Sequence, residues 1–239
     1  PVAVRGADVG TTLAVSVVQL QPAATAWTVA GGWDSSLNRE LGVADAAPAR
    51  LSWQVDRGGA TLRAPGGREV ALRPFLGTMG VAPAGTGRFQ ASTPRTCGGN
   101  LDCNLLTAGA TLYLPVHVEQ AMFFFGDGHA AQGDGEIAGA AVECAMDRVE
   151  LRFDVIRDMP LTAPRARTAA GWVCFGLHAD LRQAMVMAGR QMIRFLQARL
   201  DVTPATAMAL MSAAVDFRLT QVVNGVCGVM LAIAGVVLG

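Results

Sequence analysis

A chain of 239 residues, 51% hydrophobic and 16% charged with 28 glycines, can bury a sizeable core in one large domain or two small ones. Its formal net charge is zero and its pI is near 7.3, so it lacks the basic footprint of a nucleic-acid binder. Every cationic side chain is arginine, which excludes Schiff-base, P-loop and lysine-activated nucleophile chemistry.

The stretch TTLAVSVVQL (11–20) reads as a strand through its β-branched content. Residues 23–40, carrying Trp27 and Trp33, read as a loop anchored by those rings. From Arg50 to Phe75 two or three short strands are expected, turned at Asp56-Arg57-Gly58-Gly59 and Pro65-Gly66-Gly67. PFLGTMGVAPAGTG (74–87) reads as a Gly/Pro loop, either lining a small pocket with its backbone or lying on the surface.

Chemistry concentrates between Cys97 and Glu143. Asn100 and Asp102 follow Gly98-Gly99, and Asp127, His129, Asp134 and Glu136 are expected on a glycine-rich loop before Glu143. Glycines let a ligand approach the backbone, and carboxylates beside one imidazole suit a hard or borderline cation or general acid–base work. The acidic spacing is not that of an EF-hand, and the glycine spacing is not a dinucleotide fingerprint. Asx turns are the ordinary alternative for such carboxylates. Of the three histidines, His117 reads as a packed or edge residue of a strand and His178 as a local hydrogen-bond partner at a helix start. His129 is the candidate for function.

Beyond this stretch, VELRFDVI (149–156) alternates as a half-exposed strand, 159–170 reads as a linker, and 171–177 as a buried strand. Asp180 and Gln183 predict a capping box. Leu181, Met185, Ala188, Met192 and Phe195 predict the apolar stripe of a helix of about five turns. Thr203-Pro204 opens a shorter helix, residues 217–223 return to strand, and 222–239 reads as a buried strand plus tail rather than a membrane span. The fold expected is α+β, predominantly β and sandwich-like, with a C-terminal helix pair and a return strand. A β-rich domain at 1–158 would carry the site, with an α/β part at 171–239 packed on it. Five cysteines without a CxxC pair fit reduced thiols in a cytoplasm, and no signal peptide opens the chain.

PFLGTMGVAP (74–83), CGGNLDC (97–103), AGATLYLPVHV (108–118), FGDGHAAQGDGEIAGAAVE (125–143) and VDFRLTQVVNGVCGV (215–229) together resemble the acetamidase/formamidase family. The resemblance implies a cytoplasmic, homo-oligomeric, β-rich hydrolase that converts short linear amides to carboxylate and ammonia with a divalent metal, zinc or calcium. It also implies that the chain begins after the family's N-terminal segment, and that Cys97 stands where some relatives carry histidine. Amide hydrolysis needs an activated nucleophile, and without lysine or paired serines metal-activated water is the simplest one. On this reading Asp102 and His129 hold the metal, and Glu136 is a third ligand or the base. Glu143 orients the site or carries a proton to ammonia, and Asn100 steadies the oxyanion. Cys97 as a covalent nucleophile is the rival within the enzyme class. A catalytically inactive, truncated paralogue that binds metal or a small ligand is the alternative outside it.

Overall fold

The computed structural model describes residues 1–234. The chain first forms β1 (Thr12–Pro22), β2 (Thr25–Ala30), α1 (Ser36–Glu40), β3 (Ala49–Asp56), β4 (Thr61–Ala64), β5 (Arg68–Ala71) and β6 (Phe75–Gly80). Next come β7 (Gly98–Asn100), β8 (Thr111–Pro115), β9 (Phe124–Ala131), β10 (Val142–Glu143) and β11 (Met146–Ile156). They are followed by β12 (Arg165–Thr168), β13 (Gly171–His178), α2 (Leu181–Leu200), α3 (Pro204–Ala214), β14 (Val215–Gln221) and β15 (Cys227–Ile233). The architecture is α+β and predominantly β, as the residue pattern predicts.

The described strands make two antiparallel sheets. One runs β11-β1-β8-β12-β13-β15-β14 and the other β5-β4-β3-β2-β10-β9-β6-β7. Leu13, Val15 and Val17 of β1, Leu112 and Leu114 of β8, and Leu76 and Met79 of β6 meet in one buried cluster between them. Period-two alternation then gives β13 two buried faces. Val173 and Phe175 join the core between the sheets, whereas Cys174 packs with the residues of α2.

Asp180 caps α2, its carboxylate accepting the Gln183 N–H at 2.8 Å. The buried face is Ala184, Ala188, Met192, Phe195 and Leu196, while Leu181 and Met185 of the expected stripe are 43% and 40% exposed. The stripe is shifted because the helix seats its alanines on bare backbone. A side chain at Gly176 would stand 1.9 Å from the Ala184 carbonyl oxygen.

Three expected loops are ordered elements instead. Residues 23–40 supply β2, paired along its length with β3, and the short helix α1. Within 74–87, Phe75–Gly80 is a buried inner strand between β9 and β7. The expected linker 159–170 contributes β12, which hydrogen-bonds β8 on one side and β13 on the other and buries Ala166 completely. The seven-stranded sheet therefore draws strands from before, within and after that segment. In each case short β-runs marked by Gly or Pro gain their partners only across the sheet. The strands expected at 11–20, 149–156 and 171–177 form, as do both hairpin turns and the helix opened by Thr203-Pro204. The tail expectation past residue 234 lies outside the described residues.

Candidate metal centre

The candidate residues converge where β10, β9, β6 and β7 lie side by side. Asp127 and His129 belong to β9 rather than to a loop, and alternation puts both on one face. Cross-strand pairing sets Glu143 of β10 against one side of His129 and Phe75 of β6 against the other. The Phe75 and His129 rings meet edge-on, 4.9 Å apart at 83°. Asp102 follows β7, and Glu136 lies on the segment leaving β9.

Three of the four carboxylates sit on strained backbone. Asp102, Asp127 and Glu136 have φ of 49°, 58° and 47°, a region costly for residues with a Cβ and tolerated where surroundings enforce it. For Asp102 the enforcing contacts are visible. Its N–H donates to the Gly77 carbonyl at 3.1 Å. Its carbonyl accepts from the Gln132 side-chain amide at 2.8 Å, and the same Gln132 nitrogen donates to the Thr220 carbonyl at 3.0 Å. The buried Gln132 thus ties the Asp102 turn to β14.

The side chains enclose a polar centre. Asp102 and His129 are fully buried and Glu136 is 7% exposed. His129 Nε2 stands 3.3 Å from both Asp127 Oδ1 and Glu143 Oε2, but neither contact has the direction of a hydrogen bond. Both ring nitrogens and Asp102 Oδ1 are therefore buried without a partner. Buried polar atoms are nearly always satisfied, so three orphans in one place fit a site built to hold a ligand. Gly77 keeps the space open. A Cβ there would lie 2.5 Å from Asp127 Oδ2, 2.7 Å from Asp102 Oδ1 and 2.9 Å from His129 Cε1.

The charges agree with that geometry. Burial, and then the Glu136 carboxylate beside it, raises the Asp102 carboxyl well above its ordinary range. Burial likewise raises Glu136, against the pull of His129. Burial lowers the imidazole of His129, but Asp127 and Glu143 outweigh it and carry the group up to about 10. A cation in the centre would replace these protons. Asp102, His129 and Glu136 each offer one ligand atom within 4.8 Å of the others, and so do Asp127, His129 and Glu143. Carboxylates with one imidazole fit zinc, or calcium if further oxygens contribute.

Other expected residues take different places. Asn100 donates from Nδ2 to Asp102 Oδ2 at 2.8 Å and accepts the Thr78 hydroxyl, so it orients that carboxylate. Asp134 turns away from the centre. Both its oxygens accept from Arg218 at 2.8 Å, and Asn104 donates to it at 2.9 Å. Cys97 is 3% exposed, and burial raises its thiol. His117 lies half-buried just past the end of β8, and His178 Nδ1 accepts the Asp180 N–H at 2.9 Å. Gly77, Gln132 and Asn224 were not singled out from the sequence. Asn224 donates to Asp102 Oδ2 at 3.3 Å, and it lies within the VVNGVCGV segment, the only available signal for it. A cleft of about 230 Å³ opens over the centre, lined by Thr78, Asn100, Asp127, Glu136, Glu143 and Asn224 among others.

The family model described as acetamidase/formamidase matches residues 84–234. A formamidase of Methylophilus methylotrophus is 41% identical over 66 residues, which are 27% of this chain and 16% of that enzyme. An acetamidase of Mycolicibacterium smegmatis is 52% identical over 76 residues, 28% of this chain and 19% of its own length. The solved acetamidase of Bacillus halodurans superposes with a TM-score of 0.89 at 29% identity, covering 98% of this chain and 77% of that one. A predicted acetamidase/formamidase from Thermoanaerobacter tengcongensis gives 0.88 at 27% identity over 100% of this chain and 76% of its own. The chain belongs to the acetamidase/formamidase family.

Proposed function

We propose that the chain hydrolyses the C–N bond of short linear amides to a carboxylate and ammonia, with a divalent cation held by Asp102, His129 and Glu136. One observation carries this reading: three buried, unpartnered ligand atoms surround a space kept open by Gly77. Family membership and the names of the relatives support the amide as substrate. A bound divalent cation, zinc before calcium, would supply positive charge to polarise a carbonyl and to acidify water near neutral pH.

The chain's own residues do the rest. Asn100 and Asn224 fix Oδ2 of Asp102 and leave Oδ1 free. Glu143 has Oε1 engaged by the Ala141 N–H at 2.9 Å, which points Oε2 toward His129 and the cleft. In that position Glu143 can take up a proton from water and pass it to the leaving nitrogen, the transfer an amide requires. Glu136, which burial raises as it does Asp102, serves as third ligand or as the base. Asn100 keeps one N–H free of Asp102 for the developing oxyanion.

The reading places the chain in the cytoplasm, supported by five unpaired cysteines. No described helix is long and apolar enough to cross a membrane. Homo-oligomer formation is part of the same proposal. The apolar groove between α2 and α3 carries Met208 and Phe217 at 65% and 47% exposure, and light scattering would test whether a second copy covers it.

The deciding experiment is ammonia release from formamide and acetamide by chelated and zinc-reloaded protein. Zinc-dependent release is expected. Stoichiometric zinc without release would favour a metal-binding protein that does not turn amides over.

A further inference from the structure

Beside the charged cleft, along β6 and β9, lies an apolar recess of about 190 Å³. Pro83, Phe89, Ala91, Arg95 and Phe124 line it among others, and none of its lining residues is acidic. Ala91 lines recess and cleft alike, and Gly99 of the recess directly precedes Asn100 of the cleft. The strand register relates the two spaces. Thr78, which lines the cleft, and Gly80, which pairs with Phe124 of the recess, lie on one face of β6. They are one two-residue step apart, about 6.6 Å along the strand. A Cβ at Gly80 would stand 2.8 Å from Phe124 Cζ, so the ring takes the place of a side chain there.

One arginine fastens the loop that walls the recess. The Arg95 N–H donates to the Gly98 carbonyl and the Gly98 N–H to the Arg95 carbonyl, both at 2.9 Å. Arg95 Nη1 donates to the carbonyls of Gln90 and Thr93 at 2.8 and 2.7 Å. Its guanidinium lies 5.5 Å from the centroid of the Phe89 ring. These contacts engage the one charge at the recess within the loop itself. Hydrocarbon entering from the cleft therefore meets mostly hydrocarbon. In the cleft it would strip water from the carboxylates of Asp127, Glu136 and Glu143 and return nothing. A hollow beside Trp33 also adjoins the cleft, but polar atoms make up most of its wall.

We infer that the Phe89–Phe124 recess is the acyl subsite and Ala91 its gate, so that among short linear amides the protein favours butyramide over formamide and acetamide. This rests on amide hydrolysis at the carboxylate cleft. Glu143 stands opposite His129 on β9, and Phe124 begins that strand. With the leaving nitrogen at Glu143 and the carbonyl oxygen at Asn100, the acyl chain is left to run toward Phe124. The tail of butyramide covers most of the step from Thr78 to the recess, whereas the methyl of acetamide remains among the carboxylates. At position 91 the junction carries only a methyl group.

The test compares zinc-loaded wild type with Ala91→Leu, which narrows the gate, and Phe89→Ala, which removes a wall, using acetamide and butyramide. Ala91 and Phe89 are both exposed on the loop, so the fold tolerates either change. Two methylenes taken out of water are worth about tenfold, so wild-type kcat/KM should be about tenfold higher for butyramide. That ratio should fall about tenfold in Ala91→Leu and about threefold in Phe89→Ala. Preference for acetamide in wild type, or a ratio unmoved in both variants, overturns the proposal. Saturation-transfer NMR of butyramide separates it from the hydrolytic reading. Saturation of the terminal methyl by wild type that is lost in Ala91→Leu, without ammonia release, keeps the subsite and ends the hydrolase. Hydrolysis of acetamide with no saturation of that methyl ends the subsite and leaves the hydrolase standing. Should Ala91→Leu fail to fold, the Phe89→Ala ratio decides.

Discussion

Asn224 Nδ2 lies 3.3 Å from Asp102 Oδ2, a contact between residues 122 apart in the chain. The turn between β14 and β15 thereby reaches across to a carboxylate that Asn100 already holds from the other side at 2.8 Å. With Oδ2 occupied twice, Oδ1 is the oxygen left for a ligand, and it is the one without a partner. Truncating Asn224 to alanine should loosen that carboxylate without disturbing the core. Outer-shell partners of metal ligands are worth about 10–100-fold in affinity. Zinc affinity of Asn224→Ala, measured by chelator competition, should fall about tenfold while the melting temperature of the metal-free protein holds.

Gly77 makes the second prediction. In Gly77→Ala the new methyl would press on Asp127 Oδ2 and Asp102 Oδ1 at 2.5 and 2.7 Å, filling the space a cation needs. Overpacking of this kind costs about 1–3 kcal/mol and should abolish zinc binding and turnover. Gly126→Ala, on the neighbouring strand and facing open space, is the matched control and should keep both. Zinc retained at full stoichiometry by Gly77→Ala would show that the cation sits elsewhere.

The third concerns pH. In the metal-free protein Asp102 is raised from an unfolded value near 3.8, and His129 from 6.5 to about 10. Between pH 7 and 10 the folded state therefore holds protons that the unfolded state has released. Stability then falls as pH rises, by about 1.4 kcal/mol per unit for each such proton. Melting curves of chelated protein from pH 7 to 10 should shift steadily downward, and zinc should flatten the trend by taking the protons' place. A flat profile without metal would mean that these groups hold no extra protons.

Cys97 gives the fourth. A thiol 3% exposed whose pKa burial raises is a poor nucleophile, since only the thiolate attacks. Cys97→Ser should retain most of the activity, and brief iodoacetamide treatment of the folded protein should leave ammonia release unchanged. Rapid inactivation that tracks alkylation of this residue would restore the covalent mechanism.

The fifth tests the fold apart from the site. Gly176→Ala would push a methyl into the backbone of α2, 1.9 Å from the Ala184 oxygen. A loss of about 1–3 kcal/mol is expected, lowering the melting temperature by about 2–4 °C per kcal/mol. The zinc stoichiometry of the folded fraction should not change.

Much of this chain is readable locally because local rules govern it. Asp180 capping α2, the Asp56–Gly59 turn and the β-branched run of β1 depend on near neighbours in sequence, and all form as the pattern predicts. The five residues gathered from the sequence as candidates, Asn100, Asp102, His129, Glu136 and Glu143, do lie together around one cleft or its buried floor.

By itself, the sequence determined which side chains were available: carboxylates, one suitable imidazole and amides among glycines, with no lysine. It also determined the β-rich class through its alternation. Only the tertiary structure decided that Asp134 belongs to an ion pair with Arg218, that Asp127 and His129 ride on a strand, and that Gly77, Gln132 and Asn224 complete the centre. The reason is that spacing along a chain constrains neighbours within an element, whereas distances between strands follow from register and sheet order. No interval in the sequence encodes that Asn224 will meet Asp102, because that contact exists only once β14, β15 and β7 have found their partners.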